Sequence, residues 1–309
     1  ATLDHLRGLG LATCDTLHRY HCDCEHCAVI PGEQYRPRAD RYVTVTKPPD
    51  LHAQTDSTAD GEFITRVLSD WGDFQRIAEG LTASATLAGA TTSARCGLHV
   101  HVGTQDMDVY RLRRVAIAYL AFERFFTEII APGRAQQKRD MNTTLMQSLR
   151  QYVVDGYSSG EPEFWKSISR ANLCDLLMAV IGRDRHVDLN FSQRASTWEF
   201  RVFNATNATW RIELAARMSV AFVAASEQLV ALVESTLRGD PGWPVGCDSP
   251  WGEIARPAWS TLPAPHPTKR PIVPMDQFVA VLCGVDPALE PLIARQRSYM
   301  RARYAKMIA

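Results

Sequence analysis

Short runs of alternating apolar and polar residues, set between helical patterns, mark the middle of the chain. The clearest is residues 97–103, GLHVHVG, in which leucine and valines alternate with two histidines between glycines. Side chains of a strand point alternately to its two faces. We therefore predict a strand whose apolar side chains pack on helices while His99 and His101 share the other face. The glycines allow a ligand or neighbouring backbone to come close.

The same alternation predicts three further strands, at residues 61–67, 187–191 and 197–203. Strands that are apolar on one face only are typical of an antiparallel or mixed sheet with helices packed on one face, which is an α+β fold. The opposite face would then form a polar, concave site. Its expected members are Asp60, Glu62, His99, His101, Asp188, Asn190, Glu199 and Arg201.

Apolar residues that recur every three or four positions predict the helices. The predicted ranges are 4–13, 73–89, a helix capped by Asp106 or Asp108 that ends near Ile130, 209–237, 275–283 and 286–305. The helix at 73–89 is expected to turn four apolar side chains inward: Phe74, Ile77, Leu81 and Leu87. The helix that ends near Ile130 carries a longer apolar stripe: Val115, Tyr119, Phe122, Phe126 and Ile129.

Length and charge limit the classes of function. The chain has 309 residues, 46% of them hydrophobic, with 34 basic and 34 acidic side chains. We predict one domain over residues 1–309, whose C-terminal part, 240–309, wraps the surface and ends in helices. The balanced charge does not favour nucleic acid as a partner, and no apolar run is long enough to cross a bilayer. No secretory signal is recognisable, so we expect a cytoplasmic protein.

Half of the eight cysteines fall within residues 14–27. Cys22, Cys24 and Cys27 could form a four-ligand zinc site in a small insertion. The fourth ligand would be Cys14 or one of the nearby histidines, His18, His21 and His26. The spacing is not that of standard zinc knuckles, and a loop with reduced thiols is the alternative. The cysteine spacing does not resemble a secreted disulfide scaffold, which favours a reducing compartment.

The expected polar face combines groups that suit phosphoryl transfer. Carboxylates on a rigid sheet are oxygen ligands for Mg²⁺ or Mn²⁺, and Arg201 with the two histidines could hold anionic oxygens. Phosphoryl transfer depends mostly on positioning and charge neutralisation. The alternative is a row of cross-strand ion pairs on a solvated face, each of which contributes little.

At these residues the chain resembles the putative amidoligase family, which is related to glutamine synthetase and the glutamate–cysteine ligases. The resembling segments lie between residues 55 and 204: TDS with GE at 61–62, CGLHVHV at 96–102, DLN at 188–190 and TWEFRVFN at 197–204. The resemblance implies a glutamine synthetase-like catalytic domain. It also implies an ATP- and Mg²⁺-dependent carboxylate–amine ligase that forms an amide or isopeptide bond through an acyl phosphate.

The resemblance further implies a role for several residues. Glu62, Glu199 and His99 would bind Mg²⁺. Arg201 would stabilise the transferring phosphoryl group, so that Arg201, Glu199 and His99 are the expected catalytic residues.

The remaining expected residues contact the nucleotide or the substrate. His101 and Arg201 would contact ATP phosphate, and Asn190 and Asn204 would contact nucleotide or substrate. The partner would be a small molecule or peptide that supplies a carboxylate and an amine, and nothing in the sequence selects one of them.

One departure from the family pattern is visible. The family usually opens with a Gly-x-Glu-x-Glu strand whose carboxylates help to hold metal, and no such motif precedes residue 55. Either this strand precedes the sequence given, or the protein never had it. The second case favours, as an alternative, a catalytically impaired binding module that recognises a peptide or protein. A third reading is a metal-dependent hydrolase that uses His99, His101 and a carboxylate as ligands.

Overall fold

A computed structural model of the chain describes residues 2–11, 51–54, 62–65, 67–92, 96–130, 189–190, 197–238 and 273–308. The predictions for the cysteine-rich segment 14–27, for Asp60 and Asp188, and for residues 240–272 lie outside the described residues. The fold combines helices with short strands, as the α+β prediction requires. The elements in chain order are α1 (Thr2–Gly8), β1 (Leu51–Gln54), β2 (Glu62–Thr65), α2 (Trp71–Leu87), β3 (Gly97–Gly103), α3 (Val109–Ile130), β4 (Leu189–Asn190), β5 (Thr197–Asn204), α4 (Thr209–Ala224), α5 (Ser226–Arg238), α6 (Met275–Val285) and α7 (Leu289–Ile308).

The chain divides into two compact units. Unit 1 comprises residues 1–98, 194–196 and 204–214, and unit 2 comprises residues 99–193, 197–203 and 215–309. Each unit is described by itself below. The single domain predicted over residues 1–309 stays a prediction.

Unit 1 is built around a small apolar core. Leu6, Leu11, Leu51 and Ile77 form it, with Phe63 packed at its edge. The strands β1 and β2 pair in antiparallel register, with Leu51 opposite Thr65. At Gly80 the backbone of α2 lies so close to Leu11 that a Cβ there would overlap this leucine.

Two details of unit 1 differ from the sequence prediction. Residues 51–54 form the strand β1, which is not among the predicted strands, and its Leu51 is buried in the core. Leu87 is 71% exposed, so its predicted inward position is wrong. It lies in the last turn of α2, beyond the buried face that Ile77 and Ser84 define.

Unit 2 contains a three-stranded sheet in the order β3-β5-β4, with β4 antiparallel to β5. One face of β5 packs on α3 and α4 through Phe200, whose ring contacts Tyr119, Phe126 and Phe222. The predicted apolar stripe of α3 is buried along its whole length. The helix α3 begins as predicted, because the Asp108 carboxylate caps it by accepting a hydrogen bond of 2.8 Å from the backbone N–H of Arg111.

The single helix predicted over residues 209–237 consists of two helices, α4 and α5, so the prediction of one continuous helix was wrong. The chain bends by 70° between Ala224 and Ser226. Backbone hydrogen bonds from Ala225 and Leu229 continue across the bend, and neither glycine nor proline marks it in the sequence. Within the described ranges no single helix is long and apolar enough to cross a membrane, although α4 and the first part of α5 would together meet the length and composition required.

Candidate functional site

A buried carboxylate, Glu199, is the centre of a polar cluster in unit 2. The side chain is about 9% exposed. Its Oε1 lies 2.6 Å from Nη1 of Arg201, 3.2 Å from Nδ1 of His99 and 3.7 Å from Nε2 of His101. Its Oε2 accepts a hydrogen bond of 2.8 Å from the amide of Asn190. Four polar side chains therefore converge on one carboxylate.

The three strands place these groups by simple geometry. Glu199 and Arg201 are two residues apart on β5, so their side chains leave the same face. Asn190 on β4 is the register partner of Glu199. The strand β3 lies along the edge of β5 that is opposite β4. His101 contacts Thr197 and the earlier residue His99 contacts the later residue Glu199. The two strands β3 and β5 therefore run in opposite directions. The structure brings together five side chains that were predicted to share a polar face: His99, His101, Glu199, Arg201 and Asn190.

The surroundings of Glu199 decide its charge. Burial disfavours a charged carboxylate and acts to raise the pKa of Glu199. The attraction of His101 and of Arg201, and then the hydrogen bond from Asn190, outweigh burial. With a smaller contribution from His99, they hold the pKa below its usual value of 4.5. The Glu199 carboxylate is therefore ionised at neutral pH.

Two buried atoms at the edge of the cluster have no hydrogen-bond partner within the described ranges. They are the amide oxygen of Asn190 and Nε of Arg201. Asn190 is 3% exposed. A buried acceptor and a buried donor left unsatisfied beside a charged group are uncommon in folded proteins, and a bound molecule or water could satisfy both.

Sequence reasoning assigned no role to Thr197, which the structure adds to the cluster. Its Oγ1 lies 3.1 Å from Nδ1 of His101, at hydrogen-bonding distance. The signal was present in the sequence, because Thr197 precedes Glu199 by two residues and so shares its face of the strand.

The two other expected site residues within the described ranges, Glu62 and Asn204, belong to unit 1. Glu62 lies on β2, opposite Gln54, in unit 1, and its side chain lies outside the described ones. Asn204 is the last residue of β5, is half-buried and also belongs to unit 1. Their predicted metal and substrate contacts stay predictions.

The donor set fits Mg²⁺ in one specific manner. Within the described part of the chain, no group of three or more histidine, cysteine, aspartate or glutamate side chains could hold a metal ion. Magnesium is, however, commonly bound by one or two carboxylates, with nucleotide phosphates and waters as its other ligands. A single ionised carboxylate, Glu199, fits a Mg²⁺ ion that arrives with a nucleotide better than one that the protein holds alone.

Comparison with known proteins gives one match. Residues 71–223, about half of the chain, match the model of a family described as putative amidoligase enzyme. This range contains β3, β4 and β5 and therefore the whole Glu199 cluster. No curated protein and no solved structure matches the chain significantly.

Proposed function

Because this chain belongs to the putative amidoligase enzyme family, we propose that it is an ATP- and Mg²⁺-dependent carboxylate–amine ligase with a glutamine synthetase-like catalytic domain. One observation carries the proposal. An ionised, buried glutamate lies among one guanidinium, two imidazoles and an amide on a single sheet face, inside the matched range.

The proposed reaction has two steps. A carboxylate oxygen of the substrate attacks the γ-phosphorus of ATP, the bond to the β–γ bridging oxygen breaks, and ADP leaves with an acyl phosphate formed. An amine then attacks the acyl carbon, phosphate leaves, and the amine loses a proton as the amide or isopeptide bond forms. Each step builds up negative charge on oxygen atoms that the protein must stabilise.

The residues of the cluster have distinct tasks in this proposal. Arg201 supplies a positive charge to the transferring phosphoryl group, and its guanidinium is already oriented by the short contact with Glu199. Glu199 and His99 would hold Mg²⁺ together with the nucleotide phosphates. Bound Mg²⁺ supplies charge neutralisation for the β- and γ-phosphate oxygens.

The other polar groups would orient the ligands. His101, whose side chain is about half exposed, would contact a phosphate oxygen. The unsatisfied amide oxygen of Asn190 suits a donor such as an amine, and Asn204 is proposed as a further contact for substrate or nucleotide. The substrates would be small molecules or peptides that carry a carboxylate and an amine.

A second candidate function is a binding module without turnover. The observation in its favour is that Arg201 and Asn190 already neutralise and hydrogen-bond Glu199 within the protein. A cluster satisfied in this way could be structural and leave the fold to recognise a peptide. This candidate predicts no ATP binding that depends on Glu199.

Calorimetric titration of ATP with excess Mg²⁺ separates the two candidates. We would compare the unaltered chain, Glu199→Gln and the control Glu227→Gln, which removes the same charge from an exposed side chain paired with Arg114. The ligase proposal predicts binding to the unaltered chain and the control, and at least a tenfold weaker affinity for Glu199→Gln. Equal affinity in all three proteins would contradict it.

Turnover is tested on the same three proteins. ADP release is followed while pools of carboxylate and amine compounds are screened. The proposal expects release that requires both partners, and expects it to be lost in Glu199→Gln but retained in Glu227→Gln. ATP binding without ADP release for every pair tested would contradict the ligase proposal.

A further inference from the structure

We propose that Thr197 is a positioning residue, whose hydroxyl donates a hydrogen bond to Nδ1 of His101 and so keeps the ring proton on Nε2. The ring would then present an N–H, and not a lone pair, on the side of Glu199. The assignment of the His101 tautomer is independent of the proposed function. The contribution of Thr197 to ligand binding rests on the proposed function.

The direction of the hydrogen bond follows from charge. The Thr197 hydroxyl and Nδ1 of His101 are 3.1 Å apart, and by distance either could donate. The opposite ring nitrogen, Nε2, lies 3.7 Å from Oε1 of Glu199. A neutral imidazole has one N–H and one lone pair. A lone pair on Nε2 would face a carboxylate and be repelled, whereas an N–H there is attracted. Nδ1 is then the acceptor, and Thr197 must be the donor.

The same argument gives His99 the opposite tautomer. His99 turns Nδ1 towards Glu199, at 3.2 Å, so its proton belongs on Nδ1 and its Nε2 has the lone pair. The two histidines of the GLHVHVG strand therefore differ chemically. The Nδ1 proton of His99 is directed at Glu199, whereas Nε2–H of His101, 3.7 Å from Glu199, is a donor that an anionic oxygen could accept.

The exposure of His101 allows a ligand to reach its ring. Its side chain is 48% exposed, while that of Glu199 is about 9% exposed, so a ligand can reach the imidazole but not surround the carboxylate. Thr197 is only half-buried at the start of β5, and its hydroxyl has no other hydrogen bond within the described ranges. A phosphate oxygen of a nucleotide is the ligand class that this donor would recognise.

The tautomer can be measured directly. Two-bond ¹H–¹⁵N spectra of the full chain labelled in histidine would be recorded at about pH 8.5, roughly two units above the ordinary histidine pKa of about 6.5. The resonances of His101 are identified by their loss in His101→Asn. Thr197→Val removes the hydroxyl at almost constant volume, and Thr197→Ser retains it.

The expected spectrum of the unaltered chain shows a protonated Nε2 and an unprotonated, hydrogen-bonded Nδ1 for His101. In Thr197→Val the Nδ1 resonance moves towards that of a free pyridine-type nitrogen, and in Thr197→Ser it stays in place. A proton on Nδ1 in the unaltered chain would overturn the proposal, as would an Nδ1 resonance that Thr197→Val leaves unchanged. Valine is a good strand residue, and equal melting temperatures confirm that the variants are folded.

The role in ligand binding is tested by titrating ATP with Mg²⁺ into the same variants. Loss of one orienting hydrogen bond is expected to weaken affinity by roughly three- to tenfold in Thr197→Val, and by less than about twofold in Thr197→Ser. Unchanged affinity in Thr197→Val would overturn this role. If the unaltered chain binds no ATP, the proposed function fails, and the spectra still decide the tautomer.

Discussion

The two faces of β5 show how one strand serves two purposes. On one face Phe200 is fully buried against aromatic rings of α3 and α4. On the other, Glu199 is nearly as well buried, but among charged and polar groups. Burial alone therefore does not distinguish the two faces, whereas the chemistry of their partners does.

The difference matters because the two kinds of contact cost different amounts of free energy. Burial of an aromatic ring is favourable without any specific partner. A buried carboxylate is tolerated only when charges and hydrogen bonds compensate for its lost hydration. A protein that needs only stability gains little from such a cluster, so we interpret the Phe200 face as the structural support and the Glu199 face as the functional one.

The largest expected effect is on the apolar face. Replacement of a fully buried phenylalanine by alanine removes its contacts and leaves a cavity. Phe200→Ala is therefore expected to lower the free energy of unfolding by about 3–5 kcal/mol, measured by urea denaturation. Phe200→Leu, which retains most of the volume, should cost clearly less. A loss below about 1 kcal/mol in Phe200→Ala would show that this face does not support the sheet.

A smaller loss of stability is expected on the polar face. Glu199→Gln leaves Arg201 without its charged partner, and we expect a loss of about 1–3 kcal/mol at neutral pH. The measurement is again urea denaturation, now of Glu199→Gln beside the unaltered chain. A gain in stability would contradict this prediction, because it would show that the ionised carboxylate costs the fold more than its contacts return.

The difference in stability between the unaltered chain and Glu199→Gln should depend on pH with a defined sign. The folded state holds the pKa of Glu199 below its usual 4.5, so ionisation of this carboxyl stabilises the folded protein. The contribution is fully present above pH 4.5 and is lost as the pH falls through the lower pKa of the folded state. The stability difference between the unaltered chain and Glu199→Gln should shrink over that window. Glu227→Gln, which removes the same charge from an exposed side chain, is the matched control.

The smallest expected effect is a loss of stability that leaves ATP affinity unchanged. Asp108→Ala removes the N-terminal cap of α3, a helix that packs on the Phe200 face, and should cost about 1 kcal/mol of stability. Thermal denaturation measures the loss, and Asp108→Asn, which retains a capping oxygen, should restore most of it. ATP affinity should not change, and a large change would show that the two faces are not separable.

Much of the Glu199 cluster could be predicted from the sequence because a strand has a strict two-residue period. Alternation placed His99 with His101, and Glu199 with Arg201, on shared faces. It could not show that Oε1 of Glu199 contacts three side chains, because that depends on the strand register. The same alternation places Thr197 on the face of Glu199, but its contact with His101 on β3 depends on the strand register.

Features that depend on tertiary packing were beyond the sequence pattern. The apolar periodicity of residues 209–237 continues across Ala225, so the 70° bend has no local signal. The exposure of Leu87 depends on where the core of unit 1 ends. The strand at 51–54 is too short for its pattern to be recognised, and it is defined by pairing with residues 62–65.

Hydrogen–deuterium exchange with and without ATP and Mg²⁺ tests most directly whether the Glu199 face is the functional one. Peptides that cover β3 and β5 should gain protection when the nucleotide is present, and peptides from α6 and α7 should not. The same experiment on Glu199→Gln should show no gain. Protection confined to residues 275–308, or an equal gain in Glu199→Gln, would contradict the assignment of the site to this face of the sheet.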